Sequence, residues 1–501
     1  MKKVITCLLT VLLFSNSYSQ DNNQKEIIDD FITSTLQKIK EIPSLSISVQ
    51  KDGKPFFMKS YGYSNVEAKT KATPETSYYI ASMTKSFVGL LAAKLDADGI
   101  IDLDEPIVDY KPIKDFKDRS LFEGVTIRDL LSHTSGIENA YLTAKFASIG
   151  EYDYEHMYKL LEVKTEARSN KKYRYDNFGY NVFDLILKDE FGLSWKDLLK
   201  KEIFKPLKMK HTSANISEAR KKHWNLAIPY ASINDEELPR EVSTQKNDDT
   251  FQAAGGMISS IQDMEKYLLL YLHEGALDNK ILFKKEIIQT SIKPNVKTNG
   301  RKYLFKSEGY GLGWHTGLFD DKVVNYHGGS YDGFRSYMSF LPKEKMGVVT
   351  LTNENHLGDN VSDLVTSFIY DLMLGNINSA SEYSDKVNEV VERAAELQAG
   401  YRKGQERMAK RSWTLMHDFD NYIGIYRNKH LGDLIITTDG KGNIKAKLGI
   451  SEAIASPSSN DESIRVEFKN LRGENILFIS NSKGTMAAVN QGDVFLKEGF
   501  E

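Results

Sequence analysis

The stretch Tyr79-Ile80-Ala81-Ser82-Met83-Thr84-Lys85 joins an apolar, strand-like segment to the start of a predicted helix. From Ser82 to Asp98, apolar residues recur at spacings of three and four, which is typical of an amphipathic helix, and Gly99 ends it. A lysine three residues after a serine on a helix lies one turn away on the same face. The stretch therefore predicts that Ser82 and Lys85 lie side by side where a helix begins.

This pair suits nucleophilic catalysis. A serine hydroxyl becomes a good nucleophile only when a base removes its proton, and burial can lower the pKa of a lysine enough for its amine to accept one. A serine at a helix start can also direct its own backbone N–H towards an oxyanion. The alternative is a helix N-cap serine followed by a solvated lysine. The other occurrences of this spacing lie in polar or turn-rich stretches, at Ser169/Lys172, Ser243/Lys246 and Ser480/Lys483.

A second candidate group is Tyr175-Asp176-Asn177, which precedes a predicted helix from Phe178 to Leu187. A tyrosine held near cations can exchange protons with a substrate, and an asparagine can bind a substrate amide. The alternative is a buried tyrosine followed by an asparagine helix cap. Because a carboxylate beside Tyr175 would disfavour a phenolate, we expect Asp176 to face away from it.

A third candidate group is His327-Gly328-Gly329-Ser330, which precedes a predicted strand from Gly333 to Leu341. Two glycines beside a strand edge let a substrate backbone approach closely, and Ser330 could offer a second N–H to an oxyanion. The alternative is a glycine-rich turn that carries a surface histidine.

The order of predicted elements indicates the fold class. Residues 44–50 and 55–63 form a β-hairpin around Asp52-Gly53, a mainly helical middle follows, and strands return at 333–341 and 347–352. This order predicts an α/β (α+β) domain over residues 20–375: an antiparallel sheet with strands from both ends of the domain, flanked by helices, with an inserted helical lobe.

The chain ends carry further predictions. Residues 1–19 are typical of a signal peptide, with Lys2 and Lys3 before an apolar stretch that is too short to span a bilayer. We expect a connecting helix within 376–412. Six or so short strands then predict a small all-β barrel over 413–501.

Composition excludes several classes of function. The formal net charge of −3 gives no field that would attract nucleic acid. The single cysteine, Cys7, lies inside the signal segment, so the mature chain has no disulfide, no thiol nucleophile and no cysteine-ligated metal. We expect no cofactor, no metal and no membrane span in the mature chain. His273-Glu274 lacks the second histidine of a zinc protease, and the nucleophile elbow of α/β-hydrolases is absent.

Together, Ser82-x-x-Lys85, Tyr175-x-Asn177 and His327-Gly328-Gly329 resemble the three ordered motifs of the penicillin-recognising serine hydrolases. The resemblance covers about residues 27–375 and is closest to the branch of class C β-lactamases and D-Ala-D-Ala carboxypeptidases. The last domain looks like the lipocalin-like barrel appended to many of these proteins. Flanking segments agree, namely 126–137, 254–260 and 311–314.

The resemblance implies roles for the matched residues. Ser82 attacks a carbonyl and forms an acyl-enzyme, and Lys85 and Tyr175 share the proton transfers, with the formal base left open. The backbone N–H groups of Ser82 and Ser330 form the oxyanion hole. Asn177 binds the substrate amide. The remaining substrate-binding residues are His327, which could support the hydroxyl of Tyr175, and Gly328 and Gly329.

The expected function is that of an exported serine hydrolase, periplasmic or secreted, acting on an amide or ester. Candidate substrates are D-amino-acid or peptidoglycan-derived peptides, esters and β-lactams. His327 stands where many relatives have a lysine, which favours a D-peptidase, carboxypeptidase or esterase over a true β-lactamase. The alternative is a penicillin-binding sensor of the same fold that does not turn over. The natural substrate and the oligomeric state stay open.

Overall fold

The protein is seen here in a computed structural model. It describes residues 2–116, 119–137, 143, 145, 153–162, 172–234, 236, 239–242, 247–250, 252–439, 442–469, 472–482 and 484–500, with only the backbone for 2–19.

The part of the chain before residue 376 is built on an antiparallel sheet, which contains ten strands among the described residues. Ser44–Lys51 lies between Lys54–Asn65 and Met346–Thr352, so the sheet joins strands from both ends of the domain, and the expected fold class is confirmed. Asp52 and Gly53 both have positive φ, as a two-residue hairpin turn requires. In spatial order the strands are Val296–Lys297, Phe305–Tyr310 (with Arg301–Lys302 beside it), His315–Phe319, Lys322–Tyr331, Phe334–Leu341, Met346–Thr352, Ser44–Lys51, Lys54–Asn65 and Thr70–Lys71.

Both faces of this sheet are covered. Neighbouring residues of a strand point to opposite faces, and Val348 and Val349 accordingly enter two different apolar cores. The helix Ile261–Leu272 packs on one face and Gly358–Leu374 on the other. The other helices are Lys2–Lys38, Thr84–Ala97, Ile127–Leu131, Tyr154–Glu162, Phe178–Phe191, Trp195–Leu199, Ile216–Lys221, Lys285–Ile292, Ser384–Ala409 and Phe419–Tyr422.

The segment Leu312–Gly313 holds the helix Thr84–Ala97 against the sheet. A side chain at Gly89 would place its Cβ 1.8 Å from the carbonyl oxygen of Leu312. Gly313, at φ +81°, would place a Cβ 2.1 Å from the carbonyl oxygen of Lys85. These glycines allow two backbones to touch, which fixes the start of the helix relative to the sheet.

Three two-stranded sheets complete this half. Ser77–Tyr79 pairs with Ile258–Ser260, which brings the segment before Ser82 next to the segment after residue 252. The other two pairs are Tyr230–Ala231 with Arg240–Glu241, and Ala276–Leu277 with Lys280–Ile281.

The C-terminal part forms a nearly closed antiparallel barrel after the predicted connecting helix, which is Ser384–Ala409. The described residues contain nine strands there, not six or so, because several are too short to give a clear sequence pattern. Its resemblance to lipocalins stays a prediction. Lys145 joins the two halves by donating to Asn490 Oδ1 at 2.8 Å and to Asp493 Oδ2 at 3.1 Å. The strands are Gly424–Asn428, Gly432–Thr438, Ile444–Leu448, Ser451–Ile454, Ser456–Pro457, Ser463–Lys469, Arg472–Ser480, Met486–Asn490 and Asp493–Lys497.

Among the described residues, no helix combines the length and the apolar character that a membrane crossing requires.

Candidate active site

Ser82 lies in a single 3₁₀ turn, Ala81–Met83, directly before the helix Thr84–Ala97. Ala81 has a φ of +46°, a conformation that costs energy for any residue with a side chain. The N–H of Ile80 bonds the carbonyl of Met257 at 3.0 Å, which holds this sharp change of direction in place. The turn presents Ser82 at the end of a strand and leaves it half-buried.

Lys85 lies beside Ser82, as the spacing predicts. Its Nζ atom donates to Ser82 Oγ at 3.2 Å, to Asn177 Oδ1 at 2.8 Å and to the carbonyl oxygen of Ala254 at 2.6 Å. The side chain is fully buried. Because burial disfavours the charged form, the pKa of Lys85 falls to about 7, although the nearby carboxylate of Asp176 acts in the opposite direction.

Tyr175 borders the same group of atoms. Its ring centroid is 4.9 Å from Lys85 Nζ, and its hydroxyl hydrogen-bonds with Ser82. The surrounding protein raises the pKa of Tyr175 above its usual value, and Asp176 raises it further. Since the residue is 37% exposed, water moderates this rise. A neutral phenol is therefore the favoured state near pH 7.

Asp176 does not lie in solvent. Its carboxylate accepts the N–H of Gly179 at 3.3 Å, in the first turn of the helix Phe178–Phe191. Burial raises its pKa to about 6, and its charge influences both Lys85 and Tyr175. We expected Asp176 to face away from Tyr175. Its hydrogen bond to Gly179 agrees with this expectation, but its charge still raises the pKa of Tyr175.

His133 supports this corner of the site, in line with a structural role. Its Nδ1 atom accepts the backbone N–H of Asp176 at 3.3 Å, and its ring centroid lies 4.5 Å from that of Tyr175. The residue is buried, with a φ of +60°.

His327 is buried and uncharged. Burial, and secondly the nearby Lys85, lower its pKa to about 3. Its Nδ1 atom lies 2.7 Å from the carbonyl oxygen of Gly328, so Nδ1 carries the proton and Nε2 accepts the hydroxyl of Tyr310 at 3.2 Å. The expected partner of His327 was the hydroxyl of Tyr175. The structure gives Tyr310 instead, and both ring nitrogens of His327 are engaged, Nδ1 with the carbonyl oxygen of Gly328 and Nε2 with the hydroxyl of Tyr310.

The third motif lies within the strand Lys322–Tyr331, not in a turn before a strand. A Cβ at Gly328 would lie 2.2 Å from Tyr303 Oη, and a Cβ at Gly329 would lie 2.0 Å from the carbonyl oxygen of Ile80. The two glycines therefore make room for other parts of this chain. Beyond residue 326 the strand loses its pairing with His315–Phe319, so its edge is open beside Ser82.

One cleft contains the proposed oxyanion donors. Ser82, Asn177 and Ser330 all line it. The other residues that line it had no predicted role in the site: Tyr79, Ala81, Thr250, Gln252, Ala254, Gly255 and Tyr331.

Asn181 positions one wall of this cleft. Its Nδ2 atom donates to Gln252 Oε1 at 3.1 Å, and its Oδ1 atom accepts the N–H of Ala254 at 3.4 Å. The carbonyl of Ala254 is thereby directed at Lys85. The only sequence signal for this wall was the glycine-rich segment 254–260.

Each competing Ser-x-x-Lys pair has at least one member outside the described residues. Ser169, Ser243, Lys246 and Lys483 lie outside the described residues. Ser480 is an exposed residue at the end of the strand Arg472–Ser480 of the C-terminal barrel.

Comparison with known proteins places this fold and motif set in a family. A family model described as Beta-lactamase matches residues 32–366. Protein flp of Staphylococcus aureus (strain NCTC 8325 / PS 47) is 28% identical over 375 residues, which cover 73% of this chain and 71% of that protein. A β-lactamase of Escherichia coli (strain K12) is 23% identical over 390 residues, which cover 71% and 96%.

Solved structures share the fold. The octameric penicillin-binding protein homologue from Pyrococcus abyssi superposes with a TM-score of 0.60 at 23% identity, covering 94% of this chain and 99% of that one. The D-amino acid amidase from Ochrobactrum anthropi SV3, complexed with L-phenylalanine, gives 0.58 at 20% identity, covering 70% and 98%. The class C β-lactamase from Rhodobacter sphaeroides gives 0.53 at 21% identity, covering 69% and 99%. Since the family model spans well over half of the 501 residues, this chain belongs to the β-lactamase family, whose members are generally serine hydrolases.

Proposed function

We propose that the chain is an exported serine hydrolase that cleaves an amide or ester through an acyl-enzyme on Ser82. The observation that carries this proposal is the contact of a fully buried lysine amine, with a pKa of about 7, with the hydroxyl of a serine in an open cleft. At about pH 7, roughly half of the molecules carry this amine in its neutral form, which can accept a proton.

The proton transfers follow from the two pKa shifts. Lys85 in its neutral form accepts the proton of Ser82 as Oγ attacks the carbonyl carbon, and the N–H groups of Ser82 and Ser330 stabilise the oxyanion. Tyr175, as a neutral phenol, gives its proton to the departing group and is reprotonated by the Lys85 ammonium. Water then attacks the acyl-enzyme and releases Ser82. The shifts thus favour Lys85 as the base and Tyr175 as the acid.

The substrate class is supported by analogy. An amidase and β-lactamases share this fold, and both kinds of enzyme cleave amides. The neutral state of His327 supplies no charge to a substrate carboxylate, so the third motif itself does not select β-lactams, and D-amino-acid peptides and esters are the proposed substrates. Export is supported by the sequence of residues 1–19, and a recovered protein that begins at Gln20 is the expected result.

The test is release of p-nitrophenol from p-nitrophenyl acetate by the wild-type protein, Ser82→Ala and Ser480→Ala. Ser480 is the matched control, because it begins another Ser-x-x-Lys sequence. We expect turnover to vanish in Ser82→Ala and to persist in Ser480→Ala. Intact-mass measurement after mixing distinguishes the sensor alternative, which would show an acetyl adduct on Ser82 without turnover. Full activity in Ser82→Ala would overturn the proposal.

A further inference from the structure

A short hairpin, Arg301–Lys302 paired with Phe305–Lys306, is anchored on the third motif. Tyr303, at φ +55°, forms its turn. The hydroxyl of Tyr303 occupies the space that a side chain at Gly328 would need, and its ring lies 5.1 Å from that of Tyr337. The hairpin is therefore held against the strand that borders the cleft.

Lys302 extends from this hairpin towards Tyr175. Its Nζ atom lies 6.0 Å from the ring centroid of Tyr175 and 5.3 Å from that of Tyr303. Burial is the main cause of the lowered pKa of His327 and of His315, and the charge of Lys302 contributes to both.

No carboxylate of the described residues forms an ion pair with Lys302, whereas Lys306 on the same hairpin pairs with Glu308 at 3.0 Å. Asp359, whose pKa is influenced by the charge of Lys302, already binds Arg335 at 3.0 Å. Lys302 is thus an exposed ammonium at the edge of the site, without an ion-pair partner in the part of the chain that the structure describes.

The other candidates for binding an anion are not available. The amine of Lys85 is buried and contacts three acceptors, and its proposed task requires the neutral form. His327 is neutral, and its Nε2 atom is engaged with Tyr310. Lys302, an exposed cation among the described residues with its Nζ atom 6.0 Å from the ring centroid of Tyr175, is one that a substrate can reach.

We propose that Lys302 binds a carboxylate on the leaving group of the substrate. This inference rests on the proposed function, in which Tyr175 gives its proton to the leaving group, so that the leaving group must lie beside Tyr175 and hence beside Lys302. The preferred substrates are then amides or esters that release an acid-bearing product, such as the C-terminal amino acid of a peptide. Lys302 is a specificity-determining residue that takes no part in bond cleavage.

The experiment uses two aryl esters that differ in one charge: 3-carboxyphenyl acetate and 3-carbamoylphenyl acetate. Their ratio of kcat/KM, corrected for their rates with hydroxide, measures the preference for a carboxylate. We expect the wild type to prefer 3-carboxyphenyl acetate about tenfold. This is the lower end of what a charge-assisted hydrogen bond contributes, because Lys302 is exposed. Lys302→Met should abolish it, Lys302→Glu should reverse it, and Lys306→Met should preserve it.

The outcomes separate this inference from the proposed function. An unchanged preference in Lys302→Met, or an equal loss on both esters, overturns the role of Lys302 while Ser82-dependent hydrolysis stands. The absence of Ser82-dependent release from either ester overturns the proposed function itself, and the inference with it. A preference that decreases as salt is raised from about 0.05 to 0.5 M supports an exposed charge interaction.

Discussion

The Nζ atom of Lys85 lies 3.2 Å from the Oγ atom of Ser82, inside a shell of acceptors that leaves the lysine no access to water. Burial lowers the pKa of this ammonium to about 7.

Removing the lysine amine should remove the base. We expect Lys85→Ala to lower kcat/KM for p-nitrophenyl acetate by about 10³-fold, within the usual range for general-base catalysis. Lys85→Arg keeps the positive charge but cannot lose its proton, so it should be equally impaired. Substantial activity in Lys85→Arg would show that the charge of Lys85, not its basicity, is what matters.

The pH dependence of kcat/KM should reflect the ionisation of Lys85. Because the neutral amine is the active form, the rate should rise with pH and level off above an apparent pKa of about 7. His327 cannot produce this limb, since its pKa is about 3. A flat profile between pH 5 and 9 would contradict the assignment.

Asp176 should shift that limb. Its negative charge stabilises the Lys85 ammonium and so raises the lysine pKa. Asp176→Asn removes this charge, and the acid limb should therefore move to lower pH. The measurement is the pH profile of both proteins with the same ester, and a limb that moves to higher pH would refute the stated coupling.

Tyr175 should matter more for poor leaving groups. We expect Tyr175→Phe to reduce hydrolysis of a D-amino-acid amide by about 10²-fold or more, because an amine must be protonated to depart. p-Nitrophenolate departs without a proton, so the same variant should lose much less activity on its acetate ester. Equal losses on both substrates would favour Tyr175 as the base for attack.

The contact between Gly89 and Leu312 should be essential for stability. Gly89→Ala drives a Cβ into a backbone carbonyl, and we expect it to lower the free energy of unfolding by about 3 kcal/mol. Gly400 is the control, because it lies on the exposed helix Ser384–Ala409 with no atom near its Cβ position. Gly400→Ala should stabilise that helix by about 0.5–1 kcal/mol. Urea unfolding, followed by circular dichroism, compares the two variants.

Much of the fold could be predicted from the sequence, because local patterns report local structure. The turn at Asp52-Gly53, the helix after Ser82 and the helix after Asn177 each follow from spacing and end signals. The third motif could not be placed, since glycines within a strand and glycines in a turn give the same pattern. The number of barrel strands was underestimated for a similar reason: strands of two to five residues carry too few alternations.

The site was predictable only where its residues share one local element. The serine, the lysine one turn later and the Tyr-x-Asn group can be recognised from their own neighbourhoods. The carbonyl of Ala254, the wall formed by Gln252 and the partner of His327 come from contacts between distant segments, which a sequence does not display.

By itself, the sequence determined which side chains could react and on which elements they lie, because helix period and end signals are local. Only the tertiary structure decided their protonation. The pKa of Lys85 falls because segments from three regions of the chain close around it and exclude water. His327 is neutral for the same reason, since the charge of a side chain depends on its burial and on its neighbours, which exist only once the chain has folded. The position of Lys302 beside Tyr175, without an ion-pair partner among the described residues, is likewise set by tertiary contacts.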